Sequence, residues 1–183
     1  MTLLIAGLAI FFVIHTVPAL NIKNSLITKF GEGPYKGVFS LIAIAGMVMI
    51  VYGKGGSEFI TIWTPPAWSR HATMLIMLLA VPMLVISLIP NNFRKKIRHP
   101  MLIAVSLWSI GHLLTNGDLA SILLFGSFLI FAVSKMYSQS KRSPFIAPGN
   151  VSMALNVVTL IAGIVLYGVF VYFHRYIAGI PLF

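Results

Sequence analysis

The chain lacks cysteine altogether and contains only three acidic residues among 183. Without cysteine there are no disulfides, no iron–sulfur clusters, no thiolate-ligated haem and no cysteine nucleophile. The three carboxylates, Glu32, Glu58 and Asp118, are too few for a carboxylate-rich metal site or for paired-carboxylate hydrolysis. The sequence also has no serine-hydrolase elbow, no phosphate-binding loop and no dinucleotide-binding glycine motif. Histidine is therefore the main remaining side chain that can carry chemistry.

Charge of either sign is scarce. Charged residues make up 9% of the sequence, against about 25% in a soluble domain, and apolar residues make up 58%. Six apolar runs are long enough, or nearly so, to cross a bilayer at roughly 20 residues each. They lie near residues 3–20, 38–52, 68–90, 101–114, 119–137 and 153–173. We expect an all-α polytopic membrane bundle of about six transmembrane helices, forming a single domain over residues 1–183.

The segments between these runs have distinct compositions. Residues 31–37 are predicted to be a turn-rich connection, and residues 138–150 a polar loop. The loop 53–67 combines tryptophan and proline and is typical of an interfacial aromatic belt. Pro82 lies inside the third run and should kink that helix. The turn at residues 115–118 makes the fourth and fifth helices antiparallel neighbours, and Asp118 is predicted to cap the fifth helix.

Basic residues are concentrated on one predicted side of the membrane, and the formal net charge is +10. Ten of the 13 basic residues follow the first, third and fifth runs: Lys23, Lys29, Lys36, Arg94, Lys95, Lys96, Arg98, Lys135, Lys141 and Arg142. This positive-inside pattern predicts a multi-pass membrane protein with its basic segments in the cytoplasm and both termini outside, which for a bacterial inner membrane is the periplasmic side. Membrane lipids with anionic headgroups are the expected partners of these charges, and nucleic acid is not.

Two histidines stand out among the five, which are His15, His71, His99, His112 and His174. His15 and His112 are each flanked by apolar residues for at least a turn on both sides. A polar ring in hydrocarbon needs a partner, which is either an interhelical hydrogen bond or a metal. Haem is the cofactor that best fits two buried histidines without carboxylates or thiols. Phe11 and Trp108, one turn before His15 and His112, are positioned to pack against a porphyrin.

The depths of the two histidines leave the ligand pair open. His15 lies roughly 6 Å inward of its helix midpoint, and His112 roughly 6–7 Å outward of its own, at about 1.5 Å per residue. A haem ligated by both would need a normal steeply inclined to the membrane plane. The alternative pairs are His112 with His71 or His174, and His15 with His99.

Several sequence stretches match one family in combination. They are FFVIH from Phe11, GEGPYKG from Gly31, WTPPAWSRH from Trp63, RHP from Arg98, GHLLTNGDLAS from Gly111 and LFG from Leu124. On these stretches the chain resembles the NnrU family of bacterial membrane proteins over nearly its full length. The family is associated with nitrite and nitric oxide metabolism in denitrifying bacteria. The resemblance implies a role in redox or nitrogen-oxide metabolism.

That family is similar, more distantly, to the plastid 15-cis-ζ-carotene isomerase, a haem b membrane enzyme. The two histidine ligands of the isomerase correspond to His15 and His112. Its Trp-Cys-Leu-Ala-His stretch corresponds to the residues from Trp108 to His112, where Ser109 replaces the cysteine and rules out thiolate exchange. The resemblance implies haem b with His15 and His112 as metal ligands. The predicted cofactor-binding set is His15, His112, Trp108, Ser109 and Asp118.

The function predicted from these observations is haem b binding with bis-histidine ligation, served by a small-molecule or electron-transfer partner. The main alternative is a non-enzymatic membrane transport or assembly factor whose histidines are structural. Two minor alternatives are a haem-dependent isomerase and a membrane methyltransferase. The last is suggested because Arg98-His99-Pro100 is similar to the cofactor-binding region of isoprenylcysteine-type methyltransferases, although the last two helices supply no glutamate. The substrate, electron donor and oligomeric state are left open.

Overall fold

A computed structural model describes residues 1–19 and 22–182 of the chain. Its elements are α1 (Thr2–Thr16), α2 (Ile22–Phe30), α3 (Glu32–Gly55), α4 (Ser69–Leu88), α5 (Pro100–Thr115), α6 (Leu119–Arg142) and α7 (Met153–Ala178). Short 3-10 turns follow α1 and α4 at Val17–Ala19 and Asn92–Lys95. Over these residues there is no β-strand, only one isolated bridge between Thr61 and Asp118. The predicted all-α fold is confirmed.

Four helices, α3, α4, α6 and α7, are long and apolar enough to cross a membrane. The apolar helices α1 and α5 are shorter, with 15 and 16 residues. Large apolar side chains on the long helices are exposed, among them Leu41 of α3 and Ile164 of α7. Exposed apolar surface on long helices is typical of contact with lipid. These helices indicate a membrane protein, and the six-span topology stays a prediction.

The helix boundaries correct four expectations. Residues 22–30 form α2 rather than a basic loop; this helix has no apolar run and buries none of its residues, so hydropathy did not reveal it. Residues 32–37 open α3 instead of forming a turn, because the positive φ of Gly31 (87°) makes the turn alone and Pro34 is tolerated in a first helical turn. Residues 138–142 continue α6. The first run ends earlier than expected, at Thr16, and Leu20 lies outside the described residues.

The chain divides into two compact units. Unit 1 comprises residues 1–64 and 117–127, and unit 2 comprises residues 65–116 and 128–183. In unit 1, α1 packs antiparallel on α3 through glycines. A Cβ on Gly53 would lie 2.3 Å from the Leu4 amide nitrogen, and one on Gly7 would lie 2.8 Å from the Ile50 nitrogen. Only glycine permits such close backbone approach, as is common between membrane helices.

Unit 2 is centred on α4, which packs against α5 and α7. The α7 contact is close, because a Cβ on Gly163 would lie 2.7 Å from Cα of Pro82. On the α5 side, the Thr73 hydroxyl donates a 2.7 Å hydrogen bond to the carbonyl of Gly111. Helix α4 runs through Pro82, and the kink predicted there stays a prediction. The α4–α5 contact therefore fixes the residue that directly precedes His112.

Candidate functional site

His15 lies in the last turn of α1, within unit 1. Its Nδ1 is 2.7 Å from the carbonyl oxygen of Phe11, one turn earlier. The imidazole centroid lies 4.1 Å from the Phe11 ring and 5.2 Å from the Phe39 ring of α3. The Tyr35 ring continues this group, 6.3 Å from Phe39. His15 is thus half-buried among aromatic rings, with its ring orientation set by its own helix.

His112 repeats this arrangement in the last turn of α5, within unit 2. Its Nδ1 is 2.8 Å from the carbonyl oxygen of Trp108, again one turn earlier. The imidazole centroid lies 5.2 Å from the Trp108 ring, which meets the Phe128 ring edge-on at 5.6 Å. The aromatic residue that the sequence places one turn before each histidine therefore contacts the imidazole in both cases.

The two hydrogen bonds define the tautomer of each ring. A carbonyl oxygen can only accept, so Nδ1 of each histidine carries the proton. In a neutral imidazole of this tautomer, Nε2 holds the lone pair and is the nitrogen that binds a metal. A backbone carbonyl on Nδ1–H is also the usual device that orients a metal-ligating histidine. His15 belongs to unit 1 and His112 to unit 2, and their pairing as ligands stays a prediction.

Ser109 lies on the same face of α5 as His112, three residues earlier. The side chain is fully buried, and its hydroxyl has no hydrogen-bond partner within the described part of the chain. An unsatisfied buried hydroxyl is unfavourable by about 1–3 kcal/mol. The neighbouring Ser106, by contrast, donates to the Leu102 carbonyl in the same helix. Ser109 is therefore a polar group that a bound molecule could satisfy.

Asp118 caps α6, as the sequence predicts. Its Oδ1 accepts a 3.0 Å hydrogen bond from the Ser121 amide and a 2.9 Å bond from Lys54 Nζ, and the residue is 3% exposed. Burial alone would raise the pKa of this carboxyl, but the hydrogen bonds from Ser121 and Lys54 outweigh it and lower the pKa below its usual value. The Nδ1–H of His112 is committed to the Trp108 carbonyl, and a role for Asp118 beside a cofactor stays a prediction.

The loop after α3 is anchored on the turn that precedes α6. Both Ile62 and Trp63 donate backbone hydrogen bonds to the Gly117 carbonyl, at 2.8 and 3.2 Å. The Leu119 amide donates to the Ile60 carbonyl at 2.8 Å. Sequence reasoning missed Lys54 as the partner of Asp118. The available signal was its position: it is one of only three basic residues on the predicted outer side, in a chain with three carboxylates.

The other three histidines lie at or beside the ends of helices. His71 is exposed in the first turn of α4, and His174 places Nδ1 2.8 Å from the Ile180 carbonyl after α7. His99 precedes α5, with Nε2 3.0 Å from the Ser140 hydroxyl. Burial, together with the charge of Arg98, lowers the pKa of His99. Nowhere in residues 1–19 or 22–182 do three histidine or acidic side chains gather into a metal-binding group.

The comparison with known families gives a match. The family model described as "NnrU protein" covers residues 3–182, nearly the whole chain. No curated protein and no solved structure matches the chain. The match reaches every α-helix in the described part of the chain, including α1 and α5, which carry His15 and His112. The chain therefore belongs to the NnrU family.

Proposed function

We propose that this NnrU-family chain binds haem b, with His15 and His112 as the residues that would hold its iron, and acts in redox or nitrogen-oxide metabolism at the bacterial inner membrane. One observation carries the proposal. Each of these histidines donates Nδ1–H to the carbonyl one turn earlier and contacts an aromatic ring there. That arrangement leaves the lone pair on Nε2, the nitrogen through which histidine ligates haem iron.

The donor set suits haem better than a metal held by the protein alone. A porphyrin supplies four nitrogens, so one or two imidazoles from the chain complete the iron site. Phe11 and Trp108 offer flat apolar surface beside the imidazoles, and the Ser109 hydroxyl needs a partner. When bound, haem would supply one-electron transfer or a binding site for a small gas ligand. The chain itself would orient the imidazoles through backbone carbonyls and keep water away with aromatic rings.

A second candidate is a non-enzymatic membrane transport or assembly factor. The Nδ1 hydrogen bonds of His15 and His112 also support this candidate. A carbonyl partner already offsets part of the free-energy cost of placing each imidazole among apolar residues. Haem-dependent isomerisation and methyl transfer are weaker candidates. Isomerisation is weaker because Ser109 stands where the similar isomerase has cysteine. Methyl transfer is weaker because Arg98 already bonds to the end of α6 and the segment that follows it, and His99 already bonds to the end of α6.

An absorption spectrum of the full chain, purified in detergent from haem-replete cells, separates the first two candidates. We expect a Soret band and sharp α and β bands on reduction, typical of low-spin six-coordinate haem b. His15→Ala and His112→Ala should each give a five-coordinate or haem-poor protein. His71→Ala and His99→Ala are the matched controls and should retain the low-spin spectrum.

Two results would change the assignment. Loss of the six-coordinate spectrum in His71→Ala, with His15→Ala unaffected, would replace His15 by His71 as a ligand. Retention of haem in all four variants would exclude ligation by these histidines. Absence of any Soret band from the folded wild-type protein, even after added haemin, would favour the non-enzymatic factor.

A further inference from the structure

Charge is distributed very unevenly between the two units. All three acidic residues lie in unit 1, whereas nine of the 13 basic residues lie in unit 2. In unit 1 two of the three carboxylates have cationic partners: Glu32 pairs with Lys36 at 2.8 Å and Asp118 with Lys54 at 2.9 Å. Unit 2 has no acidic side chain to offer its nine bases. Their counter-charge must therefore come from outside the unit.

Two of these nine bases line a cleft of about 450 Å³ in unit 2. One wall is the segment that leads into α5, and the other is the end of α6 with the segment that follows it. The lining includes the cationic side chains of Arg94 and Arg98, together with His99. Ile97, Phe145 and Ile146 provide its apolar part. The cleft thus combines cationic and apolar surface.

Arg98 holds the two walls together. Its guanidinium donates to the backbone carbonyls of Gln139 and Ser143 and lies 5.9 Å from the centre of the Phe145 ring. His99 adds a contact with the Ser140 hydroxyl at 3.0 Å. These bonds use uncharged acceptors, so they fix the shape of the cleft without neutralising its charge.

Arg94 is the cation that remains to bind a ligand. Its backbone is fixed by a 3.2 Å hydrogen bond from its amide to Asn91 Oδ1, while its side chain is exposed. Within residues 1–19 and 22–182 its guanidinium has no hydrogen-bond or ion-pair partner. An arginine whose backbone is fixed and whose guanidinium lies beside an open cleft is well suited to bind a phosphate. The guanidinium can do so through two parallel hydrogen bonds.

The apolar lip of the cleft indicates what carries the phosphate. Phe145 is 41% exposed and Ile146 is 84% exposed, on a segment with no regular structure. A free phosphate would gain nothing from such side chains. An anionic phospholipid would place its headgroup on the arginines and its acyl chains against the apolar lip. We propose that this cleft is a specific site for the phosphate headgroup of an anionic phospholipid.

Native mass spectrometry on the full chain in neutral detergent tests this. Phosphatidylglycerol, phosphatidylcholine and inorganic phosphate are the three probes. We expect phosphatidylglycerol to bind at least about tenfold more tightly than phosphatidylcholine. Arg94→Gln should weaken it about fivefold, the value of one basic residue at an anionic surface. Lys96→Gln removes the same charge from the same segment but outside the cleft, and should change the affinity less than about twofold.

A second variant tests the apolar part and avoids Arg98, whose loss would also release the wall. Ile146→Ser should weaken phosphatidylglycerol while leaving any binding of inorganic phosphate unchanged. Equal losses in Arg94→Gln and Lys96→Gln would overturn the proposal in favour of a diffuse basic surface. Inorganic phosphate that binds as tightly as the lipid, or displaces it in equimolar amount, would show a site for a soluble phosphate instead. Equal affinity for the two lipids would also overturn it.

Discussion

Lys54 and Asp118 form an ion pair, with Nζ 2.9 Å from Oδ1, that joins the last turn of α3 to the N-cap of α6. The carboxylate is almost wholly buried, whereas the Lys54 side chain is 32% exposed. The same carboxylate also accepts from the Ser121 amide. One side-chain oxygen therefore joins a helix end to a helix start, while the backbone bridge between Thr61 and Asp118 fixes the intervening loop.

Removal of either partner of this pair should destabilise the protein unequally. Asp118→Ala loses the cap and leaves Lys54 unpaired, and we expect a loss of about 2–4 kcal/mol. Lys54→Met leaves the carboxylate buried but still capped, with an expected loss of about 1–3 kcal/mol. Thermal unfolding of both single variants and the double variant in detergent gives the coupling. Fully additive losses would show that the pair contributes nothing beyond its separate residues.

The lowered pKa of Asp118 also predicts a pH dependence. A carboxyl whose pKa is lower in the folded state stabilises that state above its unfolded pKa of about 3.9. This contribution is lost as the pH falls from that value through the folded pKa. The midpoint of thermal unfolding should thus fall more steeply below about pH 4 in the wild type than in Asp118→Asn. Parallel pH profiles for the two proteins would contradict the assignment.

The glycine contact between α1 and α3 should tolerate no added methyl group. Gly53→Ala places a Cβ against the backbone of Leu4, and overpacking of this kind is unfavourable by about 1–3 kcal/mol. Gly55 is the matched control, two residues later in the same helix, because a Cβ there meets nothing within 4 Å. Gly55→Ala should leave the unfolding temperature unchanged or slightly raised. Equal effects of the two substitutions would mean that the close contact is not limiting.

The distribution of basic residues predicts the orientation in the membrane. Because the basic segments follow the first, third and fifth apolar runs, both termini should face the periplasm. A reporter that is active only in the cytoplasm should be silent when fused after Phe183, which lies outside the described residues. The same reporter inserted after Lys96 should be active. Strong activity of the C-terminal fusion would refute the six-span, outside-ended topology.

Apolar runs alone were enough to locate six of the seven α-helices in the described residues. They could not reveal α2, which has no apolar run, nor that one positive-φ glycine, Gly31, would confine the predicted turn to a single residue. The cap at Asp118 was predictable because it depends on residues three apart. Its bond to Lys54 was not, because 64 residues separate the two and only the folded unit brings them together.

At His15 and His112, too, contacts set by helical spacing were predictable, whereas features that depend on side-chain rotamers or on helix packing were not. Helical spacing places Phe11 and Trp108 one turn before His15 and His112, and both contacts are present. The Nδ1 hydrogen bonds depend on side-chain rotamers, which the sequence does not specify. In the sequence, Ser109 is distinguished only because it replaces the cysteine of the isomerase's Trp-Cys-Leu-Ala-His stretch. Its buried, unsatisfied hydroxyl could not be known before the packing of α5 was known.

The helices that carry His15 and His112, α1 and α5, are also the two shortest of the six predicted spans, with 15 and 16 residues. At about 1.5 Å per residue, each is about 23 Å long, against roughly 30 Å for the hydrocarbon core. Hydrophobic mismatch of this size is relieved when the bilayer thins locally. Thinning would bring headgroups and water toward the imidazoles from one side. If α1 and α5 cross the membrane and their histidines hold haem as proposed, bilayer thickness would control the chemistry, because longer-chain lipids would strain these two helices before the others.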